Sequence, residues 1–342
     1  MLQICNSWRR FSVIFLASLV FCSFSHAGSA EQAQPSVSVE RPFIASPLQN
    51  GNQQPYSQAV QQGIERYQAG NLNEAIALWQ QALPQISNPQ ERVIVYSNLA
   101  IAYRQIGQLD RAIAQWEQAI QIYRSQKDEA THPALARLLT EQGQAYNDLG
   151  QHKRAITLLQ SAIELTQKSS DPLTEAAAQG ALGTAYWSIG DYEKALERHQ
   201  TSLKIARDLN NSSYIATALN NLGNVYVSRG DRDRYQANLA KVEGDDKEFS
   251  RLTQAASQAR IQGRMYFEQS VQAAQGTSGL EEVRALMNLN RFLIKDEASG
   301  VSDSSPGQVT NSDRALILTH FNRARALLQT APDSQDKAYA LI

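Results

Sequence analysis

Of the five histidines in this sequence, His132, His152, His199 and His320 lie beyond residue 27 and could in principle serve metal or general-base chemistry. No two of them stand four apart, the spacing that puts both imidazoles on one face of a helix, and no H-E-x-x-H occurs. "EGDD" (residues 243–246) gathers three carboxylates, but the alternating oxygen ligands of a calcium loop are missing, which predicts a solvated turn. "GQHKR" (150–154) lacks the second glycine and the hydroxyl of a phosphate loop, and no G-x-S-x-G nucleophile elbow is present. The residues that could do chemistry therefore predict no catalytic site, no metal and no cofactor.

The two cysteines, Cys5 and Cys22, sit in an N-terminal stretch with a basic pair, Arg9 and Arg10, a fourteen-residue apolar run (11–24) and then "SHA" (25–27). This predicts a signal peptide over 1–27, cleaved after Ala27, and an exported chain. Fourteen helical residues span about 21 Å, short of the ~30 Å hydrocarbon core. Cleavage leaves no cysteine, hence no disulfide and no thiolate ligand or nucleophile. It also removes two arginines, taking the formal charge from −1 to −3. With no basic stripe, nucleic acid is not an expected partner, and no membrane association is expected after cleavage. Residues 28–55, rich in Gln, Ser, Asn and Pro, are predicted to be a disordered linker.

From Tyr56 onward, small and aliphatic residues recur at helical spacing and one phrase returns: "GNLNEAIALW", "GQLDRAIAQW", "GQHKRAITLL", "GDYEKALERH". The marker glycines are Gly70, Gly107, Gly150, Gly190 and Gly230. Seven residues before them stand Gly63, Ala100, Gly143, Gly183 and Gly223; five after stand Ala75, Ala112, Ala155, Ala195 and then Tyr235. Nine after come Trp79, Trp116, Leu159, His199 and Leu239, a shared register that predicts packing for His199 and for both tryptophans. Small residues let two helices approach closely, and a glycine that reaches left-handed backbone angles ends the first of them. One such hairpin cannot bury its own apolar face; stacked copies can. The expected fold is all-α, a right-handed solenoid of tandem helix-turn-helix hairpins.

"GALGTAYWSIGDYEKALERHQTSL" (180–203) and "ALNNLGNVYVSRGD" (218–231) resemble tetratricopeptide repeats. The period near 40 is similar to the long-helix repeats of kinesin light chains, and to those that precede CHAT-class proteases in bacteria. The resemblance predicts five repeats over 56–243 and a long helix extending the fifth over 244–275. A degenerate sixth repeat is expected over 276–332 with a disordered insertion at 295–311, and the start of a truncated further helix at 333–342.

In this family the first helix of each hairpin lines a concave groove, with residues three and six before the marker glycine turned inward, and with them Asn220, ten before the last marker. The resemblance thereby implies a groove carrying Arg104, Gln144, Asn147, Trp187, Asn220 and Asn224, whose amides could hold the backbone of an extended peptide. It does not extend to the carboxylate clamp of chaperone-tail-binding members. The corresponding places hold Val60, Ile64, Asn98, Arg137 and Glu141, of which only Asn98 and Arg137 fit while Glu141 would repel. The expected function is a non-catalytic scaffold for a protein or peptide partner. The alternative is the regulatory front of a longer enzyme, such as a CHAT-type protease.

Overall fold

The structure, a computed structural model, describes residues 58–125, 133–277, 279–298 and 311–330. The expected signal peptide, the linker 28–55 and the segment 333–342 lie outside them. Among the described residues there are twelve α-helices and no strand. They form hairpins in chain order: α1 (Gln58–Gln68) with α2 (Leu72–Ala82), α3 (Pro89–Gln105) with α4 (Leu109–Arg124), and α5 (Pro133–Asp148) with α6 (His152–Ser169). Then come α7 (Pro172–Ser188) with α8 (Tyr192–Asp208), α9 (Ser212–Glu243) with α10 (Asp246–Ala274), and α11 (Gly279–Ala298) with α12 (Asn311–Thr330). The architecture is the right-handed all-α solenoid.

Local chemistry starts and stops these helices. Asn88, Asp171, Asp191, Asn211 and Asp245 each cap an N-terminus by accepting a backbone N–H two or three residues on, and Pro89 and Pro172 follow two of them. Gly70, Gly107, Gly150 and Gly190 end the first helices at φ between +72° and +82°. At Gly190 the glycine N–H bonds the Trp187 carbonyl and the next N–H bonds that of Tyr186, which absorbs two orphan acceptors. Gly63, Gly143 and Gly183 leave no room for a β-carbon, because the rings of Trp79 and His199 and the Leu159 side chain lie within 2.2–2.8 Å of where it would sit. Gly183 thus packs against the His199 ring. Trp79 and Trp116 are fully buried, and Trp79 Nε1 donates to the Val60 carbonyl at 3.2 Å.

The fifth hairpin departs from the expected register. Gly230 is not a turn: α9 runs through it for 32 residues, and the turn falls at Gly244 (φ +78°). The expected partners Tyr235 and Leu239 are 66% and 46% exposed, and Val242, three residues further on, is 87% exposed. Their places are taken by Gly263, Phe267 and Ser270 on α10. Gly223 packs on the Phe267 ring, and Ser270 donates to the Ala216 carbonyl across 54 residues, where Ser202 reaches Ala176 across 26. The difference, 28 residues, is 14 per arm, just under four helical turns, so both faces keep their phase. Gly230 serves close approach instead: a β-carbon there would lie 3.2 Å from the Ala256 carbonyl and 3.3 Å from Ala259. Asp231 fastens the extension, pairing with Arg260 of α10 at 3.2 Å and Lys295 of α11 at 3.6 Å. Lys295 belongs to α11, which continues to Ala298, so the expected insertion at 295 starts inside a helix; residues 299–310 lie outside the described ones.

Candidate functional site

The six residues expected to line a groove lie on the first helices α3, α5, α7 and α9, but four of them are buried and most are engaged with a neighbouring helix. Arg104 is buried, and its guanidinium donates to Asp148 Oδ2 at 3.0 and 3.1 Å, and to Glu141 and Gln144 at 3.4 Å, all on α5. Asn147 Nδ2 donates to the Ala181 carbonyl of α7 at 2.9 Å. Trp187 Nε1 donates to Ser228 Oγ of α9 at 2.9 Å, and Asn220 Oδ1 accepts from Asn288 of α11 at 2.9 Å. In the first hairpin Tyr67 accepts from Gln105 of α3 at 2.6 Å. The position three before each turn glycine (Tyr67, Arg104, Asn147, Trp187) therefore reaches forward to the next first helix. These side chains stitch repeat to repeat, and two carboxylates already hold Arg104. Asn224 is half-buried.

The electrostatics follow from that burial. Desolvation pushes the Glu141 and Asp148 carboxyls above their ordinary range, against the pull of Arg104 on both and of Arg137 on Glu141. Tyr214 of α9 is pushed up to about 12, first by burial and then by the Glu141 charge. Glu141 is the residue that the carboxylate-clamp comparison flagged as repulsive, and it stays on this face.

A hollow of about 40 Å³ lies between α5, α7 and α9. Its floor is Ala176, Ala177, Gly180 and Ala181 of α7; Gln144, Tyr214, Thr217 and Asn221 stand around it. Gly180 is unlike the packing glycines, because a β-carbon there would meet only Ser202, at 3.4 Å and beyond. Gln144 is the expected groove residue that borders this hollow. Tyr214, Thr217 and Asn221 were not singled out in the sequence; alanines and the glycine of 176–181 make up the α7 side of the hollow.

Elsewhere, polar residues serve the fold. His199 lies buried against Gly183, and desolvation lowers its pKa to about 3, so the ring is neutral. Among the described residues no group of three or more His, Cys, Asp or Glu could hold a metal ion, and no helix is long and apolar enough to cross a membrane. Tyr103, Tyr146 and Tyr186 each carry a cation from the following helix over the ring: Arg111 at 5.7 Å, Arg154 at 5.7 Å and Lys194 at 5.2 Å.

The family model described as tetratricopeptide repeat matches residues 63–125, 91–168 and 174–234. Among solved structures, BtubC (BKLC) from P. vanneervenii is similar at 14% identity and a TM-score of 0.51, over 77% of this chain and 94% of that one. A putative kinesin light chain from Podosopora anserina with nearly identical TPR-like repeats aligns at 20% identity and TM-score 0.41, over 59% and 93% of the two chains. The apo form of RapI aligns at 13% identity and TM-score 0.48, over 79% and 96%. A comparison with curated protein sequences finds no match. The second helix of the fifth hairpin, beyond residue 243, lies outside the matched residues, as the displaced register requires. With their turn glycines, small-residue contacts and tyrosines in that register, residues 63–168 and 174–234 are tetratricopeptide repeats.

Proposed function

We propose that this chain is a non-catalytic scaffold that holds an extended segment of a protein partner along its first helices, at the hollow between α5, α7 and α9. The hollow itself carries this reading. It is the place on those helices where a backbone can come close, over an alanine and glycine floor, beside uncommitted space and the amides of Gln144 and Asn221. Trp187 and Asn224, both half-buried on α7 and α9, would flank the segment. Export is part of the proposal and rests on the residues of 1–27; N-terminal sequencing of the exported protein is expected to begin at Gly28.

Gly180 supplies the test. It lies inside α7 at a helical backbone angle with room beside it, so Gly180→Leu is expected to leave the melting temperature unchanged or raise it, gaining up to about 1 kcal/mol of helix propensity. The leucine would fill the hollow and abolish capture of a partner isolated with the wild-type chain. Gly183→Leu is the contrast: it meets the His199 ring and is expected to destabilise by about 1–3 kcal/mol. Normal capture by a well-folded Gly180→Leu chain would remove the hollow from consideration.

A further inference from the structure

On the second-helix side, α8 and α10 leave a cleft of about 270 Å³ that shares no residue with the hollow. Gln200, Leu203, Lys204, Arg207 and Asp208 of α8 line it, and Tyr266 of α10 faces them. The cleft arises where the repeat rule breaks. In the three preceding hairpins the tyrosine four before the turn is covered by a cation from its own second helix. In the fifth, the 28-residue shift puts Gln262 where Lys194 stands in the fourth, so that cation is missing. Tyr226 is covered by Tyr266 instead, with ring centroids 5.4 Å apart and planes at 18°. The pair extends an aromatic wall toward α8, half-buried at Tyr266, with the buried Leu203 as the floor.

Lys204 and Arg207 stand one turn apart on the exposed rim, and neither makes an ion pair among the described residues. That sets them apart from the six arginines of α9 and α10, each of which meets a carboxylate. Asp208 is the one acid in the lining, so the rim carries an excess of one positive charge over a polarizable wall. Two cations are too few for a polyphosphate backbone, whose binding needs several such contacts. They suit carboxylates, one on the Arg207 fork and one on the Lys204 ammonium, while tyrosine and arginine are the side chains that most often anchor protein contacts.

We propose that the α8–α10 cleft is a second docking site, separate from the first-helix hollow, that takes an acidic segment of a protein partner. Carboxylates of that segment meet Lys204 and Arg207, and an adjacent aromatic side chain lies on Leu203 and Tyr266.

The probe is a short fluorescein-labelled peptide in which glutamates flank phenylalanine, titrated into the full chain and followed by anisotropy, with a counterpart carrying lysine for glutamate. The wild-type chain is expected to bind the acidic peptide and not the basic one. Lys204→Gln with Arg207→Gln, both exposed and unpaired, is expected to weaken binding about tenfold or more. Gly180→Leu, which fills the hollow, is expected to leave it unchanged, so this result is independent of the function proposed above. Failure of the wild-type chain to bind, equal binding of the basic peptide, or indifference to the double substitution would each overturn the proposal. Loss of binding in Gly180→Leu alone would assign the peptide to the hollow and overturn it as well.

Discussion

At the scale of single residues, Arg104 shows how a side chain can look like a ligand contact and act as a joint. Its guanidinium is buried between two carboxylates whose protonation burial already favours. Arg104→Met keeps the apolar stem and removes the charge, and is expected to cost about 3 kcal/mol at neutral pH because it leaves buried anions uncompensated. Both carboxyls sit above their ordinary range in the folded state, so that cost should shrink as the pH falls and they protonate. Denaturant melts at two pH values check this; equal stability of the two chains at neutral pH would mean Arg104 holds nothing. His199 works with the opposite sign. Its pKa is about 3 when folded against 6.5 ordinarily, so between those values the unfolded chain binds a proton that the folded chain refuses. Stability is therefore lost as pH falls below about 6.5, at up to about 1.4 kcal/mol per pH unit. His199→Leu, which copies the packing of Leu159 over Gly143, is expected to remove that slope, read as the difference between the two chains' acid profiles. Parallel profiles would exclude the histidine as the cause.

Among the elements, the α9–α10 hairpin is the most informative, because its extra length is phased to the helix. Residues 230–243 and 249–262 are the two inserted arms, and removing both joins Arg229 to "GDDKE" and then to "GRMYFEQS". The result matches the fourth repeat, with Gly244, Asp245, Gly263, Phe267 and Ser270 where Gly190, Asp191, Ala195, His199 and Ser202 stand. Each arm is close to four turns, so the shortened hairpin should present unchanged faces to α7, α8 and α11. The double deletion is expected to fold with one cooperative transition and to lose helical signal in proportion to the residues removed. Deletion of one arm should not fold this hairpin, since it leaves the small-residue contacts of Gly223 and Gly263 without partners. Two deletions that behave alike would show that the arms are not matched. The extension is held by ion pairs and alanine contacts rather than a broad apolar face, with Gly230, Ala237 and Ala240 buried on α9 and Ala256 and Ala259 on α10.

For the whole molecule, stability is set by neighbours. One apolar cluster runs from Val60 through Ala185, a second joins the fourth and fifth hairpins, and smaller ones follow to Leu328. Between first helices the polar stitches add one bonded junction per repeat, from Tyr67 with Gln105 to Asn220 with Asn288. Stacks of this kind open from their ends, because an end repeat has one neighbour where an inner one has two. Hydrogen exchange on the full chain is expected to be slowest in α3 to α8 and faster in α1, α2, α11 and α12. Uniform protection along the chain would count against nearest-neighbour stability.

The local sequence is enough to set the helices and the repeating hairpin. These depend on what each residue permits locally: a left-handed angle at Gly107, a capped amide at Asn211, a small contact at Gly143. It also marked His199, Trp79 and Trp116 as packing residues, since a shared register says which face a side chain takes. Where the fifth turn falls is a matter of packing, because Gly230 suits a turn and a tight helix contact equally and the choice rests on Phe267 and Ser270, far along the chain. The candidate site divides in the same way. The sequence placed Gln144 on the first-helix face, but a side chain's position says nothing of its partners. That Arg104 is taken by Glu141 and Asp148, while the space above Gly180 stays open, follows from how one hairpin stacks upon the next.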